Sequence, residues 1–168
     1  MMMRCQQILF SLCVLFSLSA CGFTLRGQST FDFEFKHIQL HNFNDSQMAR
    51  ILKLALEIHG LETDSEKPQL TIKRISDLFD RSIVTFSATG RAQEVGLSYQ
   101  LVFEVSNAQG EILIRETTLT QRREITYNDD EILGKEAEEN RLYKEMQDDI
   151  AQQIVARLGA LSLNNKTK

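Results

Sequence analysis

Val95-Gly96-Leu97-Ser98-Tyr99-Gln100-Leu101-Val102-Phe103-Glu104-Val105 alternates without interruption, with a large apolar side chain at every odd position. At a period of two, Val95, Leu97, Tyr99, Leu101, Phe103 and Val105 line one face of a strand while Gly96, Ser98, Gln100 and Glu104 line the other. One face is therefore core and the other largely polar. Asn107-Ala108-Gln109-Gly110 reads as a hairpin connection, so Glu111 to Thr126, rich in Ile, Leu and Thr, returns as an antiparallel partner.

Upstream, Leu70, Ile72, Ile75 and Phe79 predict another strand after the turn at Glu66-Lys67-Pro68, with a phase slip that fits a bulge. A further turn is expected around Thr89-Gly90. Asn44 or Asp45 is placed to cap a helix carrying Met48, Ile51, Leu52, Ala55 and Leu56 at helical spacing, with Gly60 as its left-handed stop. Phe33 and Phe35, then Ile38 and Leu40, predict a first strand with an irregularity at Lys36-His37. Downstream, Asn128-Asp129-Asp130-Glu131 resembles a capping box opening a long helix. Its stripe Leu142, Tyr143, Met146, Ile150, Ile154, Val155, Leu158 and Leu161 is expected to dock on the sheet, with Glu138, Glu139, Glu145, Asp148 and Asp149 elsewhere around the cylinder. The order is β-α-β-β-β-α, an α+β fold.

The amino terminus is of another kind. After a single basic residue, Arg4, an apolar run from Ile8 to Leu18 closes on Leu18-Ser19-Ala20-Cys21. A positive n-region, a short h-region and small residues before a cysteine are the marks of a lipoprotein signal. A bilayer-crossing helix needs about 20 predominantly apolar residues, and this run meets Gly22, Thr24 and Arg26 first. Residues 1–20 are expected to be cleaved, with Cys21 the lipid-attachment site. Residues 21–32 then form the acylated end and a polar tether, 33–163 a single domain, and 164–168 a frayed tail. Gly22 rather than aspartate after the cysteine favours delivery to the outer membrane.

Removing 20 of the 168 residues leaves 148, enough for one domain with a sizeable core. Of the 19 Lys and Arg only Arg4 leaves with the leader, so 18 face 23 Asp and Glu, a net of −5. That balance disfavours non-specific binding to nucleic acid. Cys5 and Cys13 also leave with the leader and Cys21 becomes a thioether. Stability must then come from packing rather than from disulfides.

No nucleophile elbow, phosphate-cradling glycine loop or His-Glu-x-x-His pair occurs in the chain. His37 and His41 lie four apart, about 13 Å on an extended strand, too far for a shared metal. The acidic runs at 129–131 and 148–149 are explained by helix capping and solvation. Neither catalysis nor a metal or other cofactor is expected.

Several segments converge on one family: Cys21-Gly22-Phe23-Thr24-Leu25-Arg26-Gly27, then Ser87-Ala88-Thr89-Gly90-Arg91-Ala92, then Leu133-Gly134-Lys135-Glu136 running into Leu142-Tyr143-Lys144-Glu145-Met146. Together, in this order and spacing, they resemble the lipopolysaccharide (LPS) assembly lipoprotein family LptE over nearly the whole mature chain. The resemblance implies two helices against a four-stranded mixed sheet and a non-enzymatic role. It implies a heterodimer with the outer-membrane β-barrel LptD, whose lumen the protein plugs from the periplasmic side, and binding of LPS itself.

A net-acidic domain needs locally placed cations to meet LPS phosphates. Arg91, ending the Ser-Ala-Thr-Gly-Arg segment at a turn, is the first candidate, since a guanidinium makes bidentate phosphate contacts. Lys135 matches the lysine of the family's Leu-Ala-Lys segment, a position associated with LPS contact; Gly134 replaces the alanine many members carry, at a cost of ~1 kcal/mol in helix propensity. Arg122 and Arg123 should project to opposite faces of the last strand, so at most one joins the same patch. The alternative for all four is a solvated charge or an ion pair with the acidic helix. A generic envelope-assembly or structural lipoprotein is the competing functional reading, and a lipid hydrolase a more distant one.

Overall fold

The computed structural model describes residues 33–126 and 132–165, apart from residues 64 and 89. The expected capping box and the lipoprotein signal therefore lie outside the described residues, as does the last part of the tail. Six elements follow in the order β1 (Ile38–His41), α1 (Gln47–Ile58), β2 (Leu70–Phe86), β3 (Ala92–Asn107), β4 (Ile112–Thr126) and α2 (Ile132–Asn165). The sheet order is β1-β2-β3-β4. Strand β1 runs parallel to β2, with α1 as the crossover, while β2, β3 and β4 form an antiparallel meander.

Alternation in β3 dictates which face is covered. Val95, Leu97, Tyr99, Leu101, Phe103 and Val105 are all fully buried. Residues paired across antiparallel strands share a face, so Phe79, opposite Tyr99, and Leu119, opposite Leu101, belong to the same side. From the two helices, Met48, Leu52 and Leu56 of α1 and Met146, Ile150, Ile154 and Leu158 of α2 are buried in the same core. Leu142, Tyr143 and Leu161 complete the stripe as half-buried neighbours. The phase slip in β2 is a register shift between Arg74 and Ser76, with Ile75 as the extra residue.

Three expectations need correction. The α1 cap is Ser46, whose Oγ accepts from the Ala49 amide at 3.1 Å. Asn44 instead takes a left-handed turn conformation, φ 46°, which asparagine tolerates better than most residues. Strand β1 begins only at Ile38; Phe33 and Phe35 precede it, and His37 makes an isolated bridge to Glu62. Strand β2 runs on to Phe86, well past Phe79. At the other end of α1 the glycine stop holds. Gly60 (φ 75°) donates to the Glu57 carbonyl at 2.9 Å and Leu61 to Leu56 at 3.1 Å. These two bonds close a Schellman motif, and Leu56 and Leu61 are both buried.

Beneath α2 the core contains a polar seam. Arg74 and Asp77 pair at 2.9 Å, and the Arg74 guanidinium lies 5.7 Å from the centre of the Phe43 ring. Nearby, the Tyr99 hydroxyl and the Gln147 amide oxygen are buried without a hydrogen-bond partner of ordinary geometry. Burial, and secondarily the Asp77 charge, raises the Tyr99 phenol far above its ordinary value of 10.0. Above pH 10 the unfolded chain releases this proton and the folded chain does not, so native stability falls as pH rises. Tyr99→Phe removes a buried hydroxyl whose neighbour is the Gln147 amide and whose hydrogen bonding is poor, so its stability at neutral pH should lie within about 1 kcal/mol of the parent's. Its alkaline decline should also be shallower. Urea unfolding at neutral pH and above pH 10 checks both.

Candidate functional site

Short-range bonds among the described residues stitch the tip of the β2–β3 hairpin. Ser87 donates from its amide to the Arg91 carbonyl at 2.7 Å, Gly90 donates to the Ser87 carbonyl at 2.9 Å, and the Ser87 Oγ accepts from the Arg91 amide at 3.2 Å. Gly90 has φ 77°, a conformation glycine adopts without Cβ strain. The turn presents Arg91 as an exposed side chain. Immediately before it, Ile83, Val84 and Phe86 are exposed as well, Phe86 to 63 %. This apolar run was not anticipated, although the β-branched stretch Ser82-Ile83-Val84-Thr85-Phe86 carries the signal for it.

Their exposure has a topological cause. Strand β1 pairs only with residues 70–73 of β2, so among the described residues the rest of β2 has β3 alone beside it. The hairpin thus reaches past the two-layer core. The first turns of α2 run toward the same end. Tyr143 packs its ring edge-on to Phe79 at 4.8 Å, and Glu139, one turn earlier, pairs with Arg81 at 3.2 Å. Lys135 lies one turn earlier still. Its Nζ meets Glu138 at 3.0 Å, and the lysine side chain is only 14 % exposed.

The four candidate cations do not form one cluster. Arg91 is at the hairpin tip, while Lys135 lies on α2 one turn beyond Glu139, the partner of Arg81. Arg122 and Arg123 pair in the sheet with Ser98 and Leu97, about 20 Å from Arg91 along β3 at 3.3 Å per residue. Arg123 is on the helix-covered face, bound to Asp149. Arg122 is on the open face, beside a cavity of about 250 Å³ lined also by Asp80, Ser82, Gly96, Ser98 and Glu124. Gly96 keeps that niche open, because a Cβ there would stand 3.2 Å from Val84 Cγ2. Among the described residues no group of three His, Cys, Asp or Glu is placed to hold a metal ion. No described helix is long and apolar enough to cross a membrane.

The hairpin end thus combines an exposed arginine with exposed apolar side chains on both faces of the ribbon, Ile83 on the covered side and Val84 on the open side. The sequence model of the family described as "LptE: Lipopolysaccharide-assembly" matches residues 35–158. The chain belongs to the LptE family. The match runs from the lead-in to β1 through most of α2, so it includes both Arg91 and Lys135.

Three solved structures share the LptE fold seen here. The solution NMR structure of lipoprotein B from Nitrosomonas europaea is 26 % identical, with a TM-score of 0.68 over 86 % of this chain and 93 % of that one. Rare lipoprotein B from Shewanella oneidensis is 20 % identical, with a TM-score of 0.67 over 78 % and 99 %. A minor lipoprotein from Acinetobacter baumannii is 21 % identical, with a TM-score of 0.64 over 76 % and 93 %. No curated protein sequence matches the chain significantly. LptE membership supports a role in LPS assembly by an envelope lipoprotein, in a family of non-enzymatic assembly factors.

Proposed function

We propose that this LptE-family protein is an outer-membrane lipoprotein, acylated at Cys21, that plugs an LptD-type β-barrel from the periplasmic side and contacts LPS with its hairpin end. The observation that carries the reading is the family match over residues 35–158. Two features of the fold support it. The uncovered sheet face presents Ser98, Gln100, Thr118, Thr120 and Arg122 beside Val102 and exposed Leu78, a mostly polar surface suited to the water-filled interior of a large barrel. The hairpin end offers Arg91 to a phosphate while Ile83, Val84 and Phe86 meet acyl chains. Contacts of both kinds compete with the packing of LPS against itself.

Affinity purification of the acylated protein from gently solubilised outer membranes should recover one large β-barrel protein in roughly equal amount. Recovery of the lipoprotein alone, with normal LPS display in cells lacking it, overturns the reading.

A further inference from the structure

Three strands bring polar side chains together on the uncovered face of the sheet. The register sets Asp80 of β2, Ser98 of β3 and Arg122 of β4 side by side and, one step along the same face, Ser82, Gly96 and Glu124. Residues directly opposite share a face, so five polar side chains surround a residue that has none. They line the niche of about 250 Å³ over Gly96, and Val84 forms its apolar wall. Among the described residues, the Asp80 and Glu124 carboxylates, the Arg122 guanidinium and the Ser82 and Ser98 hydroxyls make no hydrogen bond or ion pair within the domain. Their surroundings are different: Glu94, next on this face of β3, accepts from Thr85 at 3.1 Å, while Arg81 and Arg123 on the covered face pair with Glu139 and Asp149.

The layout of these groups selects the chemistry of a ligand. Strands lie about 4.8 Å apart and residues on one face repeat every ~6.6 Å, so the Asp80 and Glu124 backbones stand at opposite corners of the patch, about 12 Å apart. Carboxylates so placed do not converge on a single cation, and one guanidinium between them does not make an anion site. The set offers acceptors at two corners, donors at the third, and hydroxyls, which both give and accept, at the fourth and in the middle. A neutral ring with hydroxyl groups around its edge satisfies all of them and lays its C–H face against Val84. A niche of this volume is smaller than the usual site for a drug-sized molecule and suits one sugar unit.

We infer that the niche over Gly96 holds one neutral sugar unit of a glycolipid, with Asp80 and Glu124 accepting from its hydroxyls and Arg122 and Ser98 donating to them. Gly96 is what gives the ring room, since a Cβ there would already stand 3.2 Å from Val84 Cγ2 and 3.4 Å from Ser82 Oγ. The niche lies about 17 Å from Arg91 along β3 at 3.3 Å per residue, so a ligand whose phosphate meets the hairpin tip lays its saccharide along the open face. The inference deepens the LPS-contact reading above, on which it rests for the source of the sugar, and one experiment separates the two.

The probe is a neutral oligosaccharide released from LPS, free of lipid and phosphate, titrated into the purified protein and followed by saturation-transfer NMR; capture of whole LPS is measured alongside. Transfer to sugar-ring protons is expected with the parent. Asp80→Ala combined with Glu124→Ala should weaken oligosaccharide binding roughly tenfold or more, because each change removes a charge-assisted hydrogen bond. Arg122→Ala alone should weaken it in the same sense. All three side chains are exposed, and urea unfolding that matches the parent's shows that the loss is not one of folding. Capture of whole LPS by the parent without transfer to the oligosaccharide overturns the inference and leaves the LPS contact standing, as does equal binding by the parent and the double variant. A basic side chain of a protein partner as the true occupant of the niche gives the first of these results. Failure of the parent to capture whole LPS instead overturns the LPS-contact reading, and the inference with it.

Discussion

Phe103→Ala should cost about 3–5 kcal/mol of folding stability. Phe103 is fully buried near the middle of the helix-covered face of β3. Its sheet neighbours there are Arg74 and Thr117, so little apolar side chain beside it within the sheet can move in to fill the void. A domain of this size has about 5–15 kcal/mol in total. With no cysteine among the described residues to cross-link the fold, the loss falls on the packing itself, and a large drop in urea midpoint is expected. Phe86→Ala provides the contrast within the same hairpin. Phe86 is 63 % exposed, and its truncation should change stability by no more than about 0.5 kcal/mol. A Phe103→Ala loss below about 1 kcal/mol, or equal losses at the two positions, contradicts the burial described for β3.

That contrast also explains what was legible in the sequence. Period-two alternation over Val95–Val105 survives into the structure because β3 is central, paired on both sides and covered by helices on one face. The α1 stripe was legible for the same reason, and Gly60 ended the helix where its left-handed φ was needed. Strand β2 was harder to read. Its bulge at Ile75 shifts the phase, and beyond β1 its apolar residues are not sorted by a core, so Leu78, Ile83, Val84 and Phe86 are all exposed. The cap was misplaced because Asn44, Asp45 and Ser46 are all competent cap residues, and only the left-handed turn at Asn44 shows which amide group needs Ser46. At the candidate site, the exposure of Arg91 was legible from a turn motif, since turns present their side chains. The degree to which Lys135 is covered by its own helix was not, because its Glu138 partner is one of several acidic residues within reach in sequence. Arg123 likewise could not be tied to Asp149 before the register placed it on the covered face.

Arg91→Glu combined with Phe86→Ala should abolish most capture of LPS by the protein. Arg91 offers a charge-assisted phosphate contact of about 1.5–3 kcal/mol, and glutamate replaces that attraction with repulsion. Covering the exposed part of the Phe86 ring removes on the order of 100 Å² of apolar surface from water, about 2.5 kcal/mol. Together these amount to at least about 4 kcal/mol, or close to a thousandfold in affinity. Lys135→Ala should weaken capture less, since it deletes a charge on a side chain only 14 % exposed, whereas Arg91→Glu reverses a charge on an exposed one. The order of effect is therefore the double variant, then Arg91→Glu, then Lys135→Ala. Salt should narrow the Arg91 effect and leave that of Phe86, because only the first is screened. Titration of labelled LPS with the purified domain, with unfolding curves as a control for folding, measures all of these. Because Arg91 and Phe86 are exposed, stability should be unchanged while capture is lost. Undiminished capture by the double variant would move the LPS contact away from the hairpin end, with Arg122, beside the niche that Gly96 opens, and Lys73 as cations on the uncovered face.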